Sequence, residues 1–403
     1  MSARAYPRRV AVTGIGVVAA CGIGKDAYWN GLLHLDPGDA TRRVVAFDPV
    51  PLFENAKEVR RADRFTQFAL AAATEALADA GGRENIGTDP ARSGVFVATG
   101  VGGLETLEEQ IEVRLSKGER RVSPFLVPMM MPNAAAAAVS MRFGYQGPCE
   151  AVCTACAAGT HAIGNAARLI ATGAADAMLA GGSEAAMTTT ALAGFGNMTA
   201  LSTLGISRPF DSRRDGFVMS EAAAVLVLEE MTHAQRRGAR IYAEILGSAS
   251  TADAHHITAP APGGTGAVRC MELALADAGL RAEDVRHINA HGTSTPLNDA
   301  AEAEAVAKVF GEPGPLVTST KGVTGHALGA AGAIEAAALA LSIHHALIPP
   351  TRGTEREFLD PEVHLDLVLG EARPWVPGPS LSNSFGFGGH NGTLVMAPVD
   401  ASS

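Results

Sequence analysis

Glu150-Ala151-Val152-Cys153-Thr154-Ala155-Cys156-Ala157-Ala158-Gly159 runs straight into a segment with apolar residues at helical spacing, Ala157 to Ala171. A thiol at that junction meets unpaired backbone N–H groups and the positive end of a helix dipole, and both favour thiolate over thiol. Two histidines sit in comparable surroundings of small residues. One lies in Asn289-Ala290-His291-Gly292-Thr293-Ser294-Thr295-Pro296, the other in Thr320-Lys321-Gly322-Val323-Thr324-Gly325-His326-Ala327-Leu328-Gly329. One thiol and two imidazoles, each on a glycine-bearing turn, suit covalent catalysis on thioesters. The thiol would carry an acyl group, and a neutral imidazole can donate Nε2–H to a thioester carbonyl as charge develops there.

Outward from these turns the chain alternates strands and helices. Strands are expected at Val10–Thr13, Gly94–Ala98, Ala177–Ala180, Ala222–Leu228, Tyr242–Ser248, His287–Ala290, Val317–Ser319 and Gly392–Ala397. Helices are expected at Thr66–Ala80, Ala157–Ala171, Thr265–Ala278, Asp299–Phe310 and Gly332–His345. That alternation predicts an α/β layered architecture. Lys321 is one of few lysines, in a segment with little other charge. Glu335 falls on an Ala-rich helix, where an unpaired carboxylate is costly, and a Lys321–Glu335 pair would satisfy both.

Composition narrows the class. The chain has 403 residues, 47% hydrophobic, with 45 Gly, which suits one large folded unit or two domains. A formal net charge of -10 argues against broad nucleic-acid binding. Five cysteines do not make a disulfide framework, so a reduced, cytoplasmic setting is expected. No apolar run reaches the ~20 residues that span a membrane, so no membrane partner is expected. Val18-Ala19-Ala20-Cys21 looks like a lipoprotein cleavage box, but Thr13, Gly14 and Gly16 interrupt the apolar core of such a signal. A buried first strand followed by a Gly-rich turn is the preferred reading. Gly14-Ile15-Gly16-Val17-Val18-Ala19 fits a loose dinucleotide fingerprint, yet no helix opens directly after it. The adjacent pairs His255-His256 and His344-His345 lack a spaced set of further ligands, so no metal is expected.

Together the three turns resemble the elongating β-ketoacyl-acyl carrier protein synthases, the Cys-His-His, synthase II-like branch of the thiolase superfamily, close to the type II polyketide ketosynthases. The likeness runs from Arg9-Val10-Ala11-Val12-Thr13-Gly14 to Asn383-Ser384-Phe385-Gly386-Phe387-Gly388-Gly389-His390-Asn391. It implies a five-layer α-β-α-β-α sandwich of two pseudo-symmetric halves, residues 1–245 with the nucleophile and 246–403 with the histidines. It implies that Cys156 is the nucleophile, that His291 and His326 stabilise the enolate from malonyl thioester, and that Lys321 and Glu335 support them. It pairs the backbone N–H of Phe385 with that of Cys156 as an oxyanion hole and makes Phe387 a gate. Leu107, Phe195 and His256 match positions at the acyl pocket, and Thr258, Thr293 and Thr295 match pantetheine contacts. No cofactor is implied, because phosphopantetheine belongs to the acyl carrier protein.

The expected partners are that carrier and a second subunit, either an identical chain or a homologous chain-length subunit. Ser123 to Asn133, Met-rich and bracketed by Pro124 and Pro132, is expected to reach across a dimer interface. Lys57, Arg60, Arg61 and Arg64 are expected on one helix face as the dock for an acidic carrier, with Arg208, Arg213 and Arg214 as a possible extension. The loop from Ser202 to Ser207 is shorter than in the fatty-acid enzymes, and Ser220-Glu221-Ala222-Ala223-Ala224 replaces a glycine-rich string. Both features lean toward a polyketide ketosynthase. A degradative thiolase would need a second cysteine near His390, a starter-condensing enzyme would lack His326, and a non-catalytic chain-length subunit would lack Cys156.

Overall fold

The computed structural model describes residues 6–37 and 42–399. Its principal strands are β1 (Val10–Ala19), β2 (Ser93–Ala98), β3 (Cys149–Glu150), β4 (Ala177–Glu184) and β5 (Ala222–Glu230). These are followed by β6 (Ala243–Ala252), β7 (His287–Asn289), β8 (Leu316–Thr318), β9 (Asp366–Leu367), β10 (Ser380–Gly386) and β11 (His390–Ala397). They hydrogen-bond in the order β9-β8-β7-β10-β11-β6-β1-β5-β4-β2-β3. The main helices are α1 (Arg64–Asp79), α2 (Ala158–Ala171), α3 (Thr265–Ala278), α4 (Pro296–Phe310) and α5 (Ala331–His345).

The pairing repeats. In each half the first strand runs antiparallel to the last, and the last antiparallel to the one before it. That strand runs parallel to the second, and the second parallel to the third. α1 and α3 follow the first strand of their halves, and α2 and α5 precede the penultimate strand. The halves join where Val10, Ala11 and Val12 of β1 pair with Ile245, Glu244 and Ala243 of β6. Leu246, at the expected seam, lies inside β6.

Burial follows the pleat. On β5, Ala222, Ala224, Leu226 and Leu228 face the cluster built around α2 and α5, while Ala223, Val225 and Val227 face the cluster around α1. A strand buried on both faces must be apolar throughout, which is why Ala222–Leu228 shows no alternation. α2 and α5 pack on one another between the strands of the two halves. With α1 outside the first half and α3 and α4 outside the second, the result is the five-layer α/β sandwich. α2 and α5 are therefore buried nearly all round and built of Ala and Gly. A Cβ on Gly159 would stand 2.7 Å from the backbone nitrogen of Ala333.

Two local expectations are corrected. β1 does not end in a Gly-rich turn at Thr13 but continues to Ala19. A Cβ on Gly16 would lie 1.9 Å from the Ala72 carbonyl oxygen, so this glycine allows α1 to rest directly on the strand. The basic run is not one helix either. Ala56–Val59 is a single turn, and Asp63 caps a new helix that opens at Arg64. Among the described residues no helix is long and apolar enough to cross a membrane.

Candidate active site

Cys156 sits in a one-turn 3-10 segment, Ala155–Ala157, that leads into α2. Ala155 has φ +49°, a left-handed conformation uncommon for a residue with a Cβ. Leu328, three residues before α5 as Ala155 is three before α2, has φ +45°. The internal repeat thus extends to the two elbows. Strained backbone of this kind persists where its surroundings over-determine it.

His291 follows β7, and His326 follows the helical turn Lys321–Thr324. His326 Nε2 lies 3.1 Å from Cys156 Sγ, and the two imidazole centroids are 5.3 Å apart, edge to face. Lys321 is buried with its ammonium fully engaged. It donates to the His291 carbonyl at 2.5 Å, to His291 Nδ1 at 3.3 Å and to Glu335 Oε1. With Nδ1 accepting, the His291 hydrogen resides on Nε2. Glu302 on α4 accepts from the amides of His291 and Gly292, both at 2.7 Å, and so fixes that turn. Glu184 does the same elsewhere, accepting from Thr99 Oγ1 and from the amides of Gly100 and Gly329.

Burial governs the protonation states. It holds both imidazoles well below their ordinary range, and the Lys321 charge adds to this, so both are neutral. It pushes the Cys156 thiol up to about 11, against the lowering influence of Lys321 and of a backbone hydrogen bond from Phe387. The expected thiolate is therefore a thiol at rest: desolvation outweighs the helix start. Burial likewise raises Glu302 and Glu335 to about 7. The donor atoms of Cys156, His291 and His326 lie within 4.8 Å of one another, a spacing that could hold a metal ion. The buried Lys321 ammonium that disfavours protonating these imidazoles also disfavours a cation between them.

A cavity of about 420 Å³ opens on this cluster, lined among others by Cys156, His291, His326, Phe195, Phe387, Thr258, Thr293 and Thr295. Phe387 leans on Phe195, Phe195 meets Phe217 edge-on, and Phe217 meets His326 edge-on. Several expected positions differ. The amide that reaches the Cys156 sulfur is that of Phe387. Phe385 instead pairs within the sheet opposite Asn391 and turns its ring edge toward His291. Gly100 and Val101 stand in the wall of this cavity, and Leu107, expected to line or adjoin the acyl pocket, does not line it. His256 is exposed, and its Nδ1 accepts from the amides of Thr258 and Ala259, so it shapes the rim without lining the pocket.

Lys57, Arg60 and Arg61 are exposed, and the Arg61 guanidinium lies 4.3 Å from the Phe125 ring centroid. Arg64 leaves that group. It pairs with buried Glu221 and stacks on Phe68. Arg213 pairs with Asp211 and Arg214 with Asp360, so both cations are engaged within the fold. Glu302 and Glu184 were not singled out from sequence. For Glu184 the signal was an acidic residue in an otherwise small, apolar stretch, the feature that did mark Glu335; Glu302 lies between Asp299 and Glu304, and nothing in the sequence sets it apart from them.

Two family profiles match the chain: "Beta-ketoacyl synthase, N-terminal domain" over residues 7–234 and "Beta-ketoacyl synthase, C-terminal domain" over residues 242–355. A 3-oxoacyl-(acyl-carrier-protein) synthase 2 of Synechocystis sp. is 45% identical, covering 96% of this chain and 98% of that one. A protein of the same name from Staphylococcus aureus is 44% identical, covering 98% and 99%. Among solved structures, the ishigamide ketosynthase/chain length factor superposes with TM-score 0.90 at 33% identity, covering 98% of this chain and all of that one. A type II polyketide ketosynthase in complex with its acyl-carrier protein gives TM-score 0.87 at 34% identity, with the same coverage.

Proposed function

The chain belongs to the beta-ketoacyl synthase family, and from that premise we propose that it is a β-ketoacyl-acyl carrier protein synthase, an acyltransferase that extends acyl chains by two carbons in fatty acid biosynthesis. The observation that carries the reading is the meeting of one thiol and two neutral imidazoles at 3.1–5.3 Å on one apolar cavity. In the first step Cys156 Sγ attacks the acyl thioester of the carrier. The amides of Cys156 and Phe387 receive the carbonyl oxygen, the bond to the carrier sulfur breaks, and the thiol proton ends on that sulfur. His326 Nε2 is placed to relay it. Its Nδ1 has no partner among the described residues, so either ring nitrogen can carry the hydrogen.

In the second step malonyl thioester binds with its carbonyl toward Nε2–H of His291 and His326. The bond to the carboxylate breaks, CO2 leaves, and the electron pair forms an enolate held by those two donors. The enolate carbon then attacks the acyl-Cys156 carbonyl, and loss of the Cys156 thiolate yields the β-ketoacyl product. Lys321 keeps His291 in its donor tautomer, and Glu335 balances Lys321. The sequence needs no metal or organic cofactor, and Thr258, Thr293 and Thr295 line the way in for the carrier's phosphopantetheine.

We read the carrier dock as Lys57, Arg60 and Arg61, and a second subunit as covering the Phe125–Met131 region, where Val127 is 60% and Met131 42% exposed. Identity of 44–45% to 3-oxoacyl synthases supports the fatty-acid pathway. The structural neighbours and the short Ser202–Ser207 loop favour the second reading, a type II polyketide ketosynthase beside a chain-length subunit.

The test is incubation with acyl-ACP and malonyl-ACP panels, with intact mass analysis of protein and products. An acyl adduct that is lost in Cys156→Ala, and a product two carbons longer, are expected. An adduct that persists in Cys156→Ala would refute the assignment. The product series separates the two pathways.

A further inference from the structure

The two amides around the Cys156 sulfur come from opposite halves of the fold, one from the elbow before α2 and one from the turn after β10. One side chain touches both segments. His161, buried on α2, has Nδ1 2.8 Å from Thr154 Oγ1 and Nε2 3.0 Å from the Asn391 carbonyl oxygen. A carbonyl only accepts, so Nε2 carries the hydrogen and Nδ1 accepts from the Thr154 hydroxyl.

Both contacts fall at sensitive points. Thr154 immediately precedes the strained Ala155, and its carbonyl accepts from the Ala157 amide at 3.2 Å, which closes the turn that presents Cys156. Asn391 is the second residue of β11, the strand that leaves the Phe387–Gly389 turn, and it lines the cavity. The ring is seated without slack, since a Cβ on Gly392 would come within 3.0 Å of it.

We propose that His161 is a positioning residue that fixes the separation of the Cys156 and Phe387 amides, and so the geometry in which the thioester carbonyl is received during acyl transfer. The inference rests on the reading of those amides as the oxyanion hole. A misplacement of about 1 Å in such a site can cost on the order of 10²-fold in rate. Decarboxylation of malonyl thioester draws on His291 and His326 instead, so it provides an internal control.

The experiment measures both steps on the full-length protein: the rate of acyl transfer from acyl-ACP to Cys156, and CO2 release from malonyl-ACP without an acyl donor. His161→Ala and Thr154→Val are each expected to slow acyl transfer roughly tenfold to a hundredfold while CO2 release stays within about threefold. Thr154→Ser, which keeps the hydroxyl, is expected to restore acyl transfer. Unchanged acyl transfer in both variants would overturn the proposal. So would parallel loss of both steps together with a lowered Tm, which would make His161 a packing residue only. If the unsubstituted protein itself takes no acyl group on Cys156, the ketosynthase reading fails, and that outcome is distinct from failure of the His161 variants.

Discussion

Lys321 holds His291 at two points, through its carbonyl oxygen at 2.5 Å and through Nδ1 at 3.3 Å, and it is held in turn by Glu335. The same ammonium therefore sets both the place of the imidazole and its tautomer. Removing it should separate stability from chemistry. Lys321→Met leaves the Glu335 carboxylate buried without its cation, a loss of about 3–5 kcal/mol by analogy with broken buried pairs. Lys321→Met/Glu335→Leu should recover most of that in urea titration. CO2 release from malonyl-ACP should remain about 10²-fold down in both, because nothing fixes Nε2–H of His291. Recovery of CO2 release in the double variant would mean that Lys321 acts only through the fold.

The two histidines should not behave alike. His291 contacts Lys321 and the Phe385 ring, whereas His326 touches the nucleophile itself. His291→Ala should lose decarboxylation while acylation of Cys156 stays within about threefold. His326→Ala should lose decarboxylation and slow acylation about tenfold as well, since the group nearest Sγ is gone. Single-turnover acylation followed by intact mass distinguishes them. Equal acylation in the two variants would exclude a part for His326 in the first step.

The readability of the chain divides along physical lines. α3 was legible residue for residue and α2 to within one, because apolar periodicity survives even where small residues dominate; α5, legible to within one, shows instead as an unbroken run of apolar helix formers too long for a strand. The strand Ser380–Gly386 was not, since its Ser and Asn side chains are satisfied by partners only the fold supplies, such as Thr160 for Ser384 and Thr393 for Asn383. Cys156, His291, His326, Lys321 and Glu335 stood out because reactive or charged residues are rare in small-residue turns. The cavity wall did not, because Leu107 and Val101 look equally apolar in sequence and only packing decides which faces the site. Phe385 and Phe387 are two residues apart in a glycine-rich string, and only the fold decides that the strand ends between them, with Phe385 paired in the sheet and Phe387 in the turn that follows. Arg64 reads with its basic neighbours in sequence because its partner Glu221 lies far along the chain.

Arg60 and Arg61 should steer an acidic carrier toward a chain whose net charge is -10. Arg60→Glu/Arg61→Glu should raise the apparent KM for acyl-ACP about tenfold and leave acylation by a small carrier-free thioester unchanged. The carrier-dependent rate should fall with salt, as exposed charges are screened over about 8–10 Å at physiological ionic strength. Arg64→Ala should lower stability instead, because it leaves the buried Glu221 carboxylate with only the more distant Arg43 guanidinium, at 3.8 Å. Equal loss with both substrates in the double variant would place the defect in the fold rather than the dock.

The last prediction concerns acid stability. His287 on β7 is 1% exposed, its ring meets Trp375 edge-on, and neither ring nitrogen has a partner among the described residues. Burial pushes its pKa down from 6.5 to about 3. Its folded value is depressed, so the stabilisation is present above 6.5 and is lost as pH falls toward 3: the unfolded chain takes a proton that the folded chain refuses. The slope is about 1.4 kcal/mol per pH unit. Glu184, Glu302 and Glu335, raised from 4.5 to about 7, act with the opposite sign. Between 4.5 and 7 the folded chain binds their protons, so falling pH favours it and masks the histidine in the unsubstituted protein. A difference removes the mask. Urea titrations of the unsubstituted protein and of His287→Phe, at one protein concentration and at pH 7, 6 and 5, share the glutamates, His291 and His326. The stability of the unsubstituted protein relative to the variant should fall by about 1.2 kcal/mol from pH 6 to pH 5 and by about 0.7 kcal/mol from 7 to 6, where the unfolded histidine is less fully protonated. A difference independent of pH would mean that His287 takes up its proton within the folded protein, and that the ring is not sealed from water.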